Sequence, residues 1–257
     1  VAVIFYLGTH MPHWLGFARV PLFVSHRRLV SRATLPRAVA PWALDSGGFT
    51  ELSMYGRWKT PSMDYARAVR RYAKEIGHLA WVAPQDWMCE PSIREQTNRS
   101  VRDHQALTTD SVQELRELVG AEARVIPVLQ GWTENEYHKH VEAYDRAGFD
   151  LRDEPIVGVG TVCRRQNTFE GARIVASLAA LGLRLHGFGF KVTGLARVGC
   201  LMASADSMAW SYTARRSPPI AGHSHKTCAN CLDYALMWRD RVLRQPSLDL
   251  CPAREAA

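Results

Sequence analysis

Short apolar runs alternate with amphipathic helix patterns about eight times along the chain. No other feature limits the possible folds as strongly. Candidate strands lie at 3–7, 22–25, 43–45, 79–84, 124–130, 156–162, 184–190 and 203–208. Most are almost continuously apolar, as parallel strands buried on both faces are. Between them, Thr60 caps a helix with Pro61 at its first position. Ala66, Val69, Ala73 and Ile76 form its apolar stripe, and Gly77 closes it. Thr133 and Glu136 make a capping box ahead of Tyr137, Val141 and Tyr144, with Gly148 at the end. Thr168 caps a helix carrying Ile174, Val175, Leu178 and Leu181, ended by Gly182. The expected fold class is α/β: a compact, irregular (β/α)8 TIM-type barrel with a C-terminal zinc-binding segment. An open doubly wound sheet is the runner-up.

A chain of 257 residues suffices for one large domain with an appendage. The expected division is a barrel over 1–215, a zinc-binding loop and helix over 216–246, and a tail over 247–257. Hydrophobic residues at 47% and charged ones at 22% exclude a disordered or fibrous chain. No apolar run approaches the roughly 20 residues of a membrane span. The apolar opening at 1–7 lacks a basic flank, so it reads as a strand rather than a secretion signal. Lys and Arg number 32 against 25 Asp and Glu, a formal charge of +7 that favours polyanionic partners such as nucleic acid. Of six cysteines only Cys228 and Cys231 are closely spaced, which points to a reducing cytoplasm and one metal cluster rather than a disulfide framework.

In a barrel, chemistry sits where strands end. The candidate strand ends carry Asp45, Asp86, Gln130, the Gly158-Val159-Gly160 turn, His186 and Asp206. One such residue is commonly a helix cap; six at corresponding places suggest a site. In Asp45-Ser46-Gly47-Gly48-Phe49 the glycines let backbone approach a ligand and free Phe49 to present its ring. Gly158-Val159-Gly160 lacks the spacing of a dinucleotide site. Arg215 and Arg216 follow Asp206 and, with Lys226, are candidate phosphate contacts. His223, His225, Cys228 and Cys231 place four soft or borderline ligands within nine residues, a pattern suited to one closed tetrahedral zinc site.

Taken in order, these motifs resemble the tRNA-guanine transglycosylase superfamily, from about residue 43 to 243. Phe5-Tyr6-Leu7-Gly8-Thr9-His10 and the 21–25 stretch resemble its shorter phage and bacterial branch, which inserts 7-deazaguanine bases into DNA. The resemblance implies exchange of guanine for a 7-deazaguanine by double displacement at C1′. It implies Asp206 as nucleophile and Asp45 as general acid/base. Asp86, Gln130 and Ser46 would read the base edge, Phe49 and His186 would sandwich it, and Gly158, Val159, Gly160 and Gly187 would meet it through backbone. The family zinc pattern is CxCxxC plus a distant His; here His223, His225 and Cys228 hold the three spacings and Cys231 the fourth place. Cys163-Arg164 stands where many bacterial tRNA enzymes place a Gly-Glu that receives an aminomethyl cation. The neutral nitrile base preQ0 is therefore the expected substrate. Exchange in tRNA is the alternative, and a non-enzymatic, zinc-containing nucleic-acid-binding protein a third reading. Both exchange reactions need a flipped-out base. A homodimer or helper protein stays open.

Overall fold

The computed structural model describes residues 3–162, 165 and 168–244. The expected tail at 247–257, the end of the 216–246 segment, Cys163-Arg164 and Cys251 lie outside the described residues. Eight strands form one all-parallel sheet: β1 (Ile4–Thr9), β2 (Leu22–Ser25), β3 (Trp42–Asp45), β4 (Leu79–Val82), β5 (Val128–Leu129), β6 (Val157–Val159), β7 (Leu185–Gly187) and β8 (Met202–Ser207). Their order is β4-β3-β2-β1-β8-β7-β6-β5. Sequence neighbours pair in turn and β1 pairs with β8, with Tyr6 opposite Asp206. That is a barrel order cut between β4 and β5, not a doubly wound one.

The cut has a physical cause. The expected strand at 124–130 is split by Pro127, which has no N–H to give a ladder. Only Val128 and Leu129 remain as strand. The edges of β4 and β5 meet at one bridge, Val82 with Val125, made by Val82 N to Arg124 O (2.8 Å) and Ile126 N to Val82 O (3.1 Å). Elsewhere tyrosines satisfy the open edges. The Tyr144 hydroxyl accepts from Val128 N (3.2 Å) and donates to Val128 O (3.1 Å), and Tyr65 donates to Ala83 O (2.8 Å). The expectation of a barrel therefore holds for strand number, order and parallelism. It fails for closure: the sheet is a curled half-barrel.

Strand alternation sorts side chains into two cores. Phe5, Leu7, Leu22, Val24, Trp42, Leu44, Val82, Val157, Val159 and Leu185 pack outward under the helices. Tyr6, Phe23, Ala43, Trp81, Ala83, Ile126 and Val128 fill the inside of the curl. One step further along the same inward rows come Gly8, Ser25, Asp45 and, on β8, Asp206, at the carboxyl ends of the strands.

Among the described residues nine helices surround the sheet: α1 (Gly48–Tyr55), α2 (Ser62–Ile76), α3 (Pro91–Thr97), α4 (Val101–Val119), α5 (Glu134–Arg146), α6 (Phe169–Ala180), α7 (Val192–Val198), α8 (Ala209–Ala214) and α9 (Leu232–Leu243). The capping box at Thr133 and Glu136 and the Thr168 cap form as expected. Thr60 does not cap α2. Its hydroxyl donates to Glu51 Oε1 (2.6 Å), and Pro61 holds the cap position. Glu51, buried in α1, also accepts from Lys59 N and Thr60 N. A buried carboxylate with three donors outcompetes a helix cap for that hydroxyl. The longest helix, α4, escaped the apolar patterning; its signal is the capping box of Ser100 with Asp103.

Among the described cysteines, Cys89, Cys228 and Cys231 are free and Cys200 is disulfide-bonded. No helix among the described residues is long and apolar enough to cross a membrane.

Candidate active site and metal cluster

The carboxyl ends of the strands surround a cavity of about 600 Å³. Asp45, Phe49, Asp86, Gly160 and Asp206 line it. Gly47 adopts φ +84°, a left-handed turn open to glycine, and the chain then enters α1 with Phe49 at the cavity, 44% exposed. Gly48 lies so close to Trp58 that an added Cβ would stand 2.8 Å from its ring.

The remaining strand-end residues lie behind the wall. Gln130 is fully buried; its Nε2 donates to Asp86 Oδ2 (2.5 Å), and its Oε1 accepts from the Thr161 hydroxyl (2.5 Å). It therefore meets the cavity through Asp86. Ser46 is buried, and its Oγ has no partner among the described residues. Val159 points outward into the helix-facing core. Gly158 and Gly187 are packing glycines. An added Cβ at Gly158 would stand 2.6 Å from the Phe188 ring, and one at Gly187 2.6 Å from Phe190.

His186 departs from its expected stacking position. It is fully buried, with its ring 4.6 Å from that of Trp81 and 4.7 Å from that of Phe188. Its Nδ1 meets Ser204 Oγ at 2.8 Å, and its Nε2 stands 3.4 Å from Asp206 Oδ1. Phe188, two residues on and so on the same side of the strand path, lines the cavity instead.

The carboxylates differ in environment. Asp206 is 6% exposed and accepts from Gly189 N at 3.0 Å. Burial raises the pKa of Asp45 most, and the charge of Asp206 adds to this, against hydrogen bonds from Ser25 and Gly47 N–H. Asp86 is pushed up to about 7, by burial first and then by the charge of Asp45, despite the Gln130 bond. The two carboxyls thus hold protons more readily than ordinary aspartates.

Several cavity residues were missed from sequence. Thr161 is a β-branched residue at φ +59°, an outlier held by its own hydroxyl, which also accepts from Cys89 N (2.8 Å). Glu90 lines the cavity with an oxygen 3.4 Å from that hydroxyl. Arg27 and Arg28 stand at the mouth after β2. His10 stacks on Trp210 (ring centroids 5.9 Å apart), and its Nε2 meets Asn230 Oδ1 at 2.6 Å. A Gly-Thr after an apolar run was the one local hint for Thr161; the others carried none.

His223, His225, Cys228 and Cys231 come together as a cluster that could hold a metal ion, their ligand atoms all within 4.8 Å of one another. The nearest pairs are 3.0 Å (His225 Nε2 to Cys228 Sγ), 3.3 Å (His223 Nδ1 to His225 Nε2) and 3.6 Å (His223 Nδ1 to Cys231 Sγ). Two imidazoles and two thiol sulfurs gathered this closely are a donor set suited to a metal such as zinc. Ile220 N donates to Cys228 Sγ (3.4 Å), and Asp233 Oδ2 stands 3.8 Å from His223 Nε2.

Fold and cavity place the protein among α/β proteins whose chemistry lies at the carboxyl ends of a curled parallel sheet. A family model described as DpdA, DeoxyPurine in DNA protein A, matches residues 2–253. The chain belongs to this family, one of DNA 7-deazaguanine transglycosylases related to tRNA-guanine transglycosylase. No curated protein matches the chain.

Proposed function

We propose that the protein exchanges guanine in DNA for preQ0 through a covalent intermediate on Asp206. The observation that carries this reading is the gathering of Asp45, Asp86 and Asp206 on one cavity in unlike surroundings. Asp206 Oδ attacks C1′ of a flipped-out nucleotide as the C1′–N9 bond breaks, in the manner of a retaining glycosidase. Asp45, whose burial favours its protonated form, delivers a proton to the departing guanine. It then takes a proton from the incoming base, whose nitrogen attacks C1′ and releases Asp206. Gly189 N–H holds the Asp206 carboxylate in place. Asp86, ionised and steadied by Gln130, accepts from the N–H groups of the guanine edge; Gly160 borders the same edge. Phe49 and Phe188 face the base rings, with His186 beneath Phe188 as its support.

His223, His225, Cys228 and Cys231 would hold one zinc ion, which would supply a cross-link for the segment after α8. In this reading the curled half-barrel carries the chemistry, and the metal-binding loop and α9 pack on it as an appendage. Arg239 donates to Phe5 O (3.5 Å), and the Trp238 and Phe5 rings lie 6.1 Å apart.

The test is mass spectrometry of nucleosides from DNA incubated with the protein and preQ0. Appearance of the deoxynucleoside of preQ0, with release of guanine, supports the reading. Exchange in a tRNA transcript but never in DNA under matched conditions overturns the choice of DNA.

A further inference from the structure

The exposed face of α8 carries chemistry that neither the cavity nor the metal cluster uses. Met208 is its N-cap and Tyr212 follows four residues on, along one side, while Arg216 lies just past the C-cap Arg215. The opposite side, with Trp210, Ser211 and Ala214, is buried. Met208 borders the cavity and is 46% exposed; Tyr212 is 60% exposed. The Arg216 guanidinium lies 3.6 Å from the centre of the Tyr212 ring. Thioether, aromatic ring and stacked guanidinium thus form one strip running outward from the cavity rim. A surface meant only for phosphate needs cations and gains nothing from an exposed ring. Unstacked bases, by contrast, bind to aromatic rings and guanidinium planes whatever their sequence.

Resting on the transglycosylase reading, we infer that the Met208–Tyr212–Arg216 strip is a stacking platform for the nucleotide adjoining the exchanged guanine. Continuity names the occupant. Met208 is two residues beyond Asp206, so a strand whose sugar sits at Asp206 has the strip directly beside its way out. Flipping a base out also strips its neighbour of a stacking partner, and Tyr212 replaces it. Arg216 then serves through its planar face on Tyr212 rather than as a simple phosphate contact.

The test compares wild type, Tyr212→Ala and Tyr212→Phe for binding to a single-stranded oligonucleotide with one guanine, by fluorescence anisotropy. Tyr212→Ala is expected to raise Kd about tenfold and Tyr212→Phe to stay within about twofold, since any flat ring stacks. With abasic positions flanking the guanine, wild type and Tyr212→Ala are expected to bind alike. Equal affinity of wild type and Tyr212→Ala for the intact oligonucleotide overturns the platform. So does a loss that persists on the abasic oligonucleotide, or sedimentation showing that Tyr212→Ala dissociates a dimer. Exchange of labelled guanine by wild type is measured alongside. If wild type binds the oligonucleotide but exchanges nothing, the transglycosylase reading falls, and with it the assignment of the platform's occupant.

Discussion

The cavity mouth and the metal cluster assemble their polar residues in opposite ways. The cluster takes four ligands from nine consecutive residues, with Cys228 buried and His225 exposed to solvent. The mouth takes Asp45, Asp86, Gly160 and Asp206 from strand ends spread over more than 160 residues. In the cluster a bound metal can supply the energy that holds donors together. At the mouth, the sheet and its two cores must hold Asp45 and Asp86, which burial makes unfavourable as anions. The regions touch where His10 meets Asn230, between the two cysteines. The contrast teaches that damage at the mouth should cost chemistry, while damage at the cluster should cost stability.

The largest expected effect is at Asp206, the proposed nucleophile. Asp206→Asn should abolish base exchange, by at least about a thousandfold, as loss of a covalent nucleophile does. Melting temperature and base binding should stay near wild type. A covalent protein–DNA band on a denaturing gel that persists in Asp206→Asn but vanishes in Asp45→Asn would mean the two roles are reversed.

At the cluster the balance should invert. Metal analysis should find about one zinc per chain, and Cys228→Ser or chelation should lower Tm by about 5 °C or more. Base binding by the protein that stays folded should change little. A metal-free chain with unchanged Tm would remove the contrast.

Gly160→Ala sharpens the comparison inside the mouth. The added Cβ falls on the Gln130 amide, so the Gln130–Asp86 bond must give way. KM for the base should rise about tenfold, in line with a lost hydrogen bond to a charged group, with kcat affected less.

Asp86 yields the smallest effect and a defined sign. Its native pKa, about 7, lies above its unfolded value, so the folded state binds the proton more tightly. Its contribution to stability is therefore full below about pH 4 and is lost as pH rises through 7. Asp86→Asn should raise Tm at pH 8 by roughly 3 °C, the shift of about 1 kcal/mol in a domain this size. In wild type, kcat/KM should fall as pH drops below about 7, because protonated Asp86 no longer accepts from the base. Thermal melts and rate profiles at pH 5–8 check both. A melt of Asp86→Asn that keeps the wild-type pH dependence would locate the titration elsewhere.

Much of this protein was legible in its sequence because the causes are local. The alternation of apolar runs announced eight parallel strands, the Thr133–Glu136 pair announced the cap of α5, and Thr168 ahead of an apolar stripe announced that of α6. Consecutive donors announced the metal cluster, and carboxylates directly after apolar runs announced Asp45, Asp86 and Asp206. What only the tertiary structure decided is height and closure. Whether His186 or Phe188 reaches the cavity depends on the stagger of β7 against β6 and β8, since a shift along the strand moves a side chain from core to rim. The Asp86–Gln130–Thr161 chain joins three strand ends and needs Thr161 in a backbone conformation that its residue type disfavours. The gap between β4 and β5 follows from Pro127 together with tyrosines on α2 and α5 that take up the open edges. Each of these sums contacts between segments tens of residues apart, and no window of sequence contains such a sum.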